Sequence, residues 1–180
     1  MVTPTILAFD GVAPKIASSA FVAPGCSVIG DVEIGADASL WYNVIVRGDV
    51  HHIRIGARTN IQDGTIVHVS TGTWPTIIGD DVLIGHMAVV HGCIVENGAF
   101  IGMGAMVMDG CVIEAGGRLA AGAMLTPGKR IPRGELWAGR PARYMRDVTA
   151  EEIADHPRAI AHYVDIGRKH AAEIAEAGRA

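Results

Sequence analysis

Three histidines of this chain, His68, His86 and His91, are spaced so that they could bind one divalent metal ion. Neutral imidazoles are common zinc ligands, and three of them with an open fourth position form the ligand set of a catalytic zinc site. Arg47 and Asp63, which carry opposite charges, lie in the same part of the sequence. Whether these side chains can meet depends on the structural elements that carry them.

A six-residue repeat of aliphatic residues predicts those elements. Its members are Val22, Val28, Ile34, Leu40, Val46, Ile55, Ile61, Val67, Ile78, Ile84, Val90, Val95, Ile101, Val107, Ile113, Leu119 and Leu125. The spacing gains three residues before Ile55 and five before Ile78, and it is one residue short before Val95. Before residue 40 the assignment of the repeat is ambiguous by one position, because either Val28 or Ile29 could be the inward-facing residue.

This period predicts an all-β fold, a parallel β-helix in which short strands are separated by turns. An ordinary β-sandwich repeats less regularly, at about 8–12 residues. The 23 glycines fit many tight turns. If three rungs close one coil, the molecule is a triangular prism with aliphatic residues inside and coils about 4.8 Å apart. The period does not determine the handedness of the coil.

From Thr149 onwards the pattern becomes helical. Thr149-Ala-Glu-Glu152 has the form of a capping box that opens a helix. We expect Pro157 to interrupt it, which predicts two helical pieces that pack on the prism or on a neighbour. The chain therefore divides into a β-helix metal-binding domain, residues 1–147, and a C-terminal helical segment, residues 148–180.

The repeat predicts where each polar residue lies on the prism, from its rung and its distance along the chain from the inward-facing aliphatic residue. Arg47, His68 and His91 each follow an inward-facing valine directly, and successive members are three rungs apart. They are therefore expected in one outer column on successive coils. This count assigns the five extra residues to a loop over roughly residues 70–75.

Asp63 and His86 form a second column, since each lies two residues past an isoleucine and the two isoleucines are three rungs apart. This column is one face away from the first, and a face of six residues is about 15 Å wide. His86 therefore cannot join His68 and His91 of its own chain at the roughly 2.0–2.1 Å that zinc requires.

A rotationally symmetric homotrimer would bring the two columns together. If one face docks on a different face of the next subunit, a ring closes. His86 then meets His68 and His91 of the neighbour, and Arg47 reaches the neighbour's Asp63. The other histidines are interpreted as solvated or packing residues: His51, His52, His156, His162 and His170.

At these residues the sequence resembles the γ-class carbonic anhydrase family of left-handed hexapeptide-repeat proteins. The resemblance covers nearly the whole chain. The matching segments are Trp41-Tyr-Asn-Val-Ile-Val-Arg-Gly-Asp49, Ile55-Gly56, Asn60-Ile-Gln-Asp63, His68, Ile84-Gly-His86, Val90-His-Gly-Cys93 and Ala138-Gly-Arg-Pro-Ala-Arg-Tyr144. Hexapeptide repeats alone are shared with acyltransferases, so the histidine set carries most of the specificity.

The resemblance implies a left-handed β-helix, a homotrimer, and zinc or ferrous iron at each subunit interface. It implies that His68 and His91 come from one subunit and His86 from the next. Further roles are implied for intersubunit salt-bridge residues (Arg47, Asp49 and Asp63), for residues that hydrogen-bond the metal-bound water (Gln62 with Asn60 nearby) and for a tyrosine at the edge of the site (Tyr144). The last is equally compatible with ordinary packing.

The activity implied is reversible hydration of carbon dioxide to bicarbonate by a metal-bound hydroxide, a zinc-dependent lyase reaction. The founding type of the family has proton-shuttling glutamates in loops near the metal. Here Val50 follows Arg-Gly-Asp and residues 70–75 contain no acid, so fast turnover is not predicted. Alternatives are a metal-dependent hydrolase of thioesterase type, a hexapeptide acyltransferase, and a non-catalytic trimer stapled by metal.

Composition indicates which classes of binding partner and which cellular compartment are compatible with the chain. A formal charge of −4 argues against a nucleic-acid or anionic-membrane surface. No apolar run approaches the roughly 18 residues of a membrane span, and the N-terminus does not read as a signal peptide. The cysteines are odd in number, Cys26, Cys93 and Cys111, and are expected as small buried residues. A cytoplasmic location is predicted.

Overall fold

The computed structural model describes residues 3–178, which form short strands and one long helix. The strands are β1 Thr5–Leu7, β2 Lys15–Ile16, β3 Phe21–Val22, β4 Ser27–Ile34, β5 Ser39–Leu40, β6 Ile45–Ile55, β7 Asn60–Ile61, β8 Ile66–His68, β9 Thr76–Ile78, β10 Leu83–Ile84, β11 Val89–His91, β12 Ile94–Val95, β13 Phe100–Ile101, β14 Met106–Val107, β15 Val112–Ile113, β16 Arg118–Leu119, β17 Met124–Leu125, β18 Arg130–Ile131, β19 Glu135–Ala138 and β20 Arg143–Asp147. The helix, α1, is Ala150–Ala177.

Parallel pairing between successive coils builds three faces of a prism. One face contains β8, β11, β14 and β17, a second contains β9, β12, β15 and β18, and a third contains β7, β10, β13 and β16. We call them the β8, β9 and β10 faces. Each strand pairs with the strand of the same face one coil away, in register. This arrangement confirms the parallel β-helix predicted from the repeat.

The aliphatic positions of the repeat line the inside of the prism. Val46, Val67 and Val90 stack in one column and are fully buried. Val28 pairs with Val46 and is also fully buried, which resolves the frame before residue 40 in favour of Val28 over Ile29. Each coil buries the same column of methyl groups against its neighbours, so the core is continuous along the axis.

Two departures from the six-residue spacing are accommodated at the surface. The extra residues before Ile55 form a bulge inside β6, opposite a register shift in β4, and His51 and His52 lie in it. The five extra residues before Ile78 form the expected loop, in which Ser70 and Trp74 pair as an isolated β-bridge. Neither departure alters the stacking of the coils above and below.

The three cysteines are buried and free, as the sequence analysis predicts. Burial raises the pKa of the Cys26 thiol to about 11, and Cys26 Sγ donates a hydrogen bond to the Trp41 carbonyl. Burial also raises the pKa of Cys93 and Cys111. These thiols therefore behave as small core residues rather than as nucleophiles.

The C-terminal segment is one helix, so the prediction of two pieces broken at Pro157 is wrong. Thr149 and Glu152 form the predicted capping box at its start. Pro157 removes one intrahelical hydrogen bond, but the helix is held against the prism on both sides of it by His156, which bonds the Asp81 carbonyl, and by the buried Ile160. Within the described range, no helix combines the length and apolarity needed to cross a membrane.

Candidate metal centre

His68 and His91 lie side by side on adjacent coils, at the ends of β8 and β11. They are register partners in the parallel ladder, which is the column geometry expected from the sequence. His68 Nδ1 lies 3.0 Å from His91 Nε2. Two nitrogen ligands of a tetrahedral zinc ion are separated by about 3.3 Å, given the usual zinc–nitrogen distance. The two imidazoles are therefore at about the separation of a ligand pair.

The other nitrogen of each ring is held by a carboxylate. His68 Nε2 lies 3.0 Å from Asp49 Oδ1, and His91 Nδ1 lies 2.5 Å from Asp109 Oδ1. An ionised carboxylate only accepts, so these nitrogens carry the ring protons. In the neutral rings the two nitrogens that face each other then both present lone pairs. Two facing lone pairs repel unless a cation lies between them, so this pair fits a metal ion.

Asp109, which was not among the predicted site residues, is itself held in place. Ser70 Oγ donates to Asp109 Oδ2 at 2.7 Å. Partial burial raises the pKa of Asp109, but hydrogen bonds from Ser70 and His91 outweigh that effect, and the pKa lies below its ordinary value. The repeat contains the signal for this residue, because Asp109 lies two residues past Val107, one coil beyond His91.

The loop over residues 70–75 closes one side of this pair. Trp74, at the end of the loop, packs against Gly92 and Gly110. Gly92 has φ +54°, and a Cβ there would lie 2.9 Å from Trp74 Cβ and 2.4 Å from Asp109 Oδ1. A larger residue would therefore displace the carboxylate that orients His91.

His86 lies at a different corner of the prism, in the turn after β10. Ile61 and Ile84 are register partners, and the second column follows from them: His86 Nδ1 lies 2.8 Å from Asp63 Oδ2. His86 thus repeats the pattern of the other two rings, with one nitrogen held by an aspartate and Nε2 open. Its side chain is 46% exposed, which leaves it accessible to a neighbouring molecule.

A single protomer does not bring the three rings together. Within residues 3–178, no group of three or more His, Cys, Asp or Glu side chains is arranged to hold a metal ion. Arg47 pairs with Asp49 of its own chain, and Asp63 pairs with His86. The predicted contacts between His86 and the histidine pair, and between Arg47 and Asp63, are contacts between protomers and stay predictions.

Gln62 is buried beside the second column, and its amide is fixed by a hydrogen-bond chain. Gln62 Nε2 lies 3.1 Å from Asn60 Oδ1 and 2.7 Å from Tyr163 Oη. Asn60 Nδ2 in turn donates to Ser39 Oγ at 2.9 Å. Both donors of the Gln62 amide are therefore occupied, and its carbonyl oxygen remains as a free acceptor.

Tyr163 is a second site residue that the sequence analysis did not identify. It lies on α1, and its hydroxyl reaches Gln62 across a separation of 101 residues. Burial raises the pKa of Tyr163, and the nearby Asp63 charge raises it further. The repeat cannot locate such a residue, because it does not determine where the helix packs.

Tyr144, the tyrosine predicted at the edge of the site, lies on β20 with 53% of its surface exposed. Its hydroxyl donates to Asp147 at 3.0 Å, and that hydrogen bond raises its pKa. Within the described protomer it makes no hydrogen bond to the other predicted site residues. A role for Tyr144 therefore depends on a neighbouring protomer and stays a prediction.

Comparison with known proteins places this chain among named relatives. No family model matches it. It is 50% identical over 169 residues to a mitochondrial protein of Arabidopsis thaliana named gamma carbonic anhydrase 1, covering 91% of this chain and 62% of the relative. It is 42% identical over 167 residues to the carbonic anhydrase of Geobacillus kaustophilus, covering 93% of this chain and 91% of that protein.

A solved structure extends the comparison to the fold. A hexapeptide transferase family protein from Anaplasma phagocytophilum superposes with a TM-score of 0.88 at 46% identity, over 92% of this chain and 97% of that one. The chain spans about three fifths of the length of the plant relatives. It matches the Geobacillus protein over nearly its full length. The chain therefore belongs to the γ-class carbonic anhydrase family of left-handed hexapeptide-repeat proteins.

Proposed function

We propose that this chain is a γ-class carbonic anhydrase-like metalloenzyme that interconverts carbon dioxide and bicarbonate at the interfaces of a homotrimer. The observation that carries the proposal is the pair of facing lone pairs on His68 and His91, each ring fixed from behind by an aspartate. The names of the relatives support the substrate. The open, aspartate-held His86 at another corner supports an assembly in which neighbours complete the site.

Zinc is the proposed metal, with ferrous iron as the alternative. His68 Nδ1 and His91 Nε2 would hold it together with His86 of the adjacent protomer. When bound to neutral imidazoles, such a cation supplies a hydroxide nucleophile near neutral pH. Asp49, Asp63 and Asp109 each accept a hydrogen bond from one ring nitrogen, which would leave the opposite nitrogen of each ring free to hold the metal.

Gln62 orients the reacting oxygen. Its amide donors are occupied by Asn60 and Tyr163, so its carbonyl oxygen can accept a hydrogen bond from the nucleophile and point the remaining lone pair toward carbon dioxide. Because the chain of contacts runs through buried Asn60 to Ser39, the amide cannot flip without breaking hydrogen bonds. Arg47 is assigned to the interface, where it would pair with Asp63 of the adjacent protomer. Removing one partner of an ion pair that becomes buried on association would be costly.

Proton export is expected to limit the rate. The loop over residues 70–75, which packs beside His91, contains no acid, and Val50 follows Arg-Gly-Asp, so the shuttling glutamates of the family's founding type are not seen in these two segments. General acid–base transfer needs a titratable group within reach of the reacting oxygen. We therefore expect hydration that accelerates with added imidazole buffer, which can carry the proton instead.

Mixed trimers test the shared site directly. His86→Ala and His91→Ala should each lack metal and carbon dioxide hydration alone. When the two variants are co-expressed in equal amounts, about a quarter of the interfaces should be intact. An interface is complete only when its first protomer supplies His68 and His91 and the next protomer supplies His86. Metal content and stopped-flow hydration are the measurements.

The matched control combines His68→Ala with His91→Ala. Both lesions fall on the same side of the interface, so no mixture can complete a site. If neither the first mixture nor this control mixture recovers metal and hydration, the shared site is contradicted. Recovery of metal without hydration would support the non-catalytic, metal-stapled trimer instead.

The same mixed trimers distinguish two alternative activities, metal-dependent hydrolysis and acyl transfer. Thioester hydrolysis that returns together with metal in the first mixture would support a metal-dependent hydrolase. The transferase name of the Anaplasma structure keeps acyl transfer as an alternative, and binding of coenzyme A that survives chelation would favour it. The free buried cysteines support the proposed cytoplasmic location.

A further inference from the structure

The hydroxyl of Thr76 joins the backbones of the two coils that carry His68 and His91. Thr76 Oγ1 donates to the His68 carbonyl at 2.5 Å and accepts from the Gly92 backbone N–H at 2.9 Å. The same Gly92 N–H donates to the His68 carbonyl at 3.2 Å, so the three groups form a closed triangle. Since Gly92 directly follows His91, the hydroxyl is bonded to one candidate ligand and to the chain neighbour of the other.

This hydroxyl lies at the point where the regular coil is interrupted. The pairing of β8 with β11 ends at His68 and His91. The chain then forms the loop over residues 70–75 and resumes the coil at Thr76, the first residue of β9. Thr76 is fully buried, so water cannot replace either of its hydrogen bonds. The hydroxyl therefore links the two coils between the end of one strand ladder and the start of the next.

A second buried threonine makes the same kind of bridge at the corner of the prism that carries no candidate ligand. Thr59 is also fully buried and lies in the turn between β6 and β7. Its Oγ1 donates to the Gly79 carbonyl at 2.6 Å and accepts from the Val82 backbone N–H at 3.1 Å. Thr59 and Thr76 thus hold coils together by the same means, and they differ in what lies beside the bridge.

We propose that Thr76 is a positioning residue of the metal centre, an inference that rests on the proposed function. The carboxylates behind the rings of His68 and His91 fix how each ring turns, but they do not fix the distance between the two backbones. The Thr76 bridge fixes that distance, and with it the 3.0 Å between the facing ring nitrogens. A metal site needs its ligands held to within about 0.5 Å. Without the hydroxyl, the His68 carbonyl keeps only the longer bond from Gly92.

Thr76→Val tests the proposal, because valine is close to threonine in shape and lacks the hydroxyl. We expect the zinc dissociation constant, measured by competition with a chromogenic chelator, to rise about tenfold, as for other groups that orient metal ligands. The visible absorption bands of the cobalt-substituted protein should change in position and intensity, because they report the geometry of the ligands. Thr76→Ser keeps the hydroxyl and should retain the affinity and the spectrum of the parent.

Thr59→Val is the matched control. It removes the same two kinds of buried hydrogen bond, so urea unfolding of the metal-free proteins should show a similar loss of stability in both valine variants. Zinc affinity and the cobalt spectrum should change only in Thr76→Val. Equal zinc affinities in the two valine variants, or a Thr76→Ser variant as weak as Thr76→Val, would overturn the inference.

The same samples separate this inference from the proposed function. If the parent binds zinc and Thr76→Val alone binds it more weakly, the positioning role is supported even when no sample hydrates carbon dioxide. That result would contradict the proposed activity only. A parent that binds neither zinc nor ferrous iron would overturn both the proposed function and the role of Thr76.

Discussion

The hydroxyl of Tyr163 accepts a hydrogen bond from the side-chain amide of Gln62 at 2.7 Å, linking the C-terminal helix to the candidate site. Gln62 contributes a free carbonyl oxygen because this bond and the one to Asn60 occupy both amide hydrogens. The helix is thus more than a cover for the β10 face. It supplies one of the two contacts that determine which way the amide points.

Replacing Tyr163 with phenylalanine should therefore lower the rate constant for carbon dioxide hydration without unfolding the protein. Loss of one hydrogen bond of about 1 kcal/mol leaves the amide free to rotate and should reduce kcat about fivefold, with KM and metal content little changed. Stopped-flow hydration measures it. Tyr42→Phe is the matched control, because the Tyr42 hydroxyl hydrogen-bonds His170 on the same helix and not Gln62. Equal losses in both variants would contradict a positioning role.

Removing the carboxylate of Asp109 should weaken metal binding. Asp109 holds the proton of His91 on Nδ1, and loss of such a partner typically costs 10–100-fold in metal affinity. Competition with a chromogenic chelator would measure this for Asp109→Ala. Asp37→Asn, which breaks only an ion pair with Arg168 on the helix, should keep the affinity of the parent. An unchanged affinity in Asp109→Ala would show that His91 needs no orienting group.

Chelation should destabilise the assembly as well as inactivate it. If each metal joins two protomers, removing it takes away a contact that stabilises only the associated state. We expect a lower melting temperature and a shift toward smaller species in size-exclusion chromatography with light scattering. His86→Ala should already melt early and should not respond further to chelator, whereas His162→Ala should behave as the parent. A chelator response in His86→Ala would contradict a ligand role for His86.

The start of α1 should be sensitive to acid. Hydrogen bonds from Arg146 and from the Thr149 backbone hold the pKa of Glu152 at about 2, below its ordinary 4.5. A lowered folded-state pKa means stabilisation that is present above the unfolded-state pKa and is lost as pH falls toward 2. Because the pair is partly solvated, we expect about 1 kcal/mol.

Urea unfolding of Glu152→Gln measures this contribution. The variant should be less stable than the parent at pH 7, and the difference should shrink as pH falls from 4.5 toward 2. Glu151→Gln, an exposed neighbour in the first helical turn, should show no such pH-dependent difference. A constant difference between parent and Glu152→Gln at all pH values would indicate that the carboxylate charge is not involved.

The sequence predicts the prism well because a period of six leaves little freedom in where each residue lies. Counting rungs from Val67 to Val90 predicts that His68 and His91 are neighbours, and the register agrees. The same count reaches Asp109, which was missed because an aspartate in a turn resembles ordinary turn chemistry. Tyr163 could not be found this way, because the packing of a helix on a sheet depends on side-chain fit rather than on period.

The helix also explains the one wrong prediction of local structure. A proline inside a helix costs a hydrogen bond, so Pro157 indicated a break. The contact of His156 with the Asp81 carbonyl and the burial of Ile160 on the prism hold the two halves in line. The contact between His156 and Asp81 joins residues 75 positions apart, so it cannot be predicted from the sequence around Pro157.

On the β10 face, the last coil does not end in a parallel edge strand. After β19 the chain turns back as β20, which forms the one antiparallel strand pair among the described strands, and Ala142 N donates to the Met124 carbonyl in β17. Stacked coils with bare ends could recruit further copies along the axis and grow into fibres. The reversal of residues 135–147 hinders that growth on this face and on β17, which leaves the sides of the prism, where the histidines lie, for the proposed association.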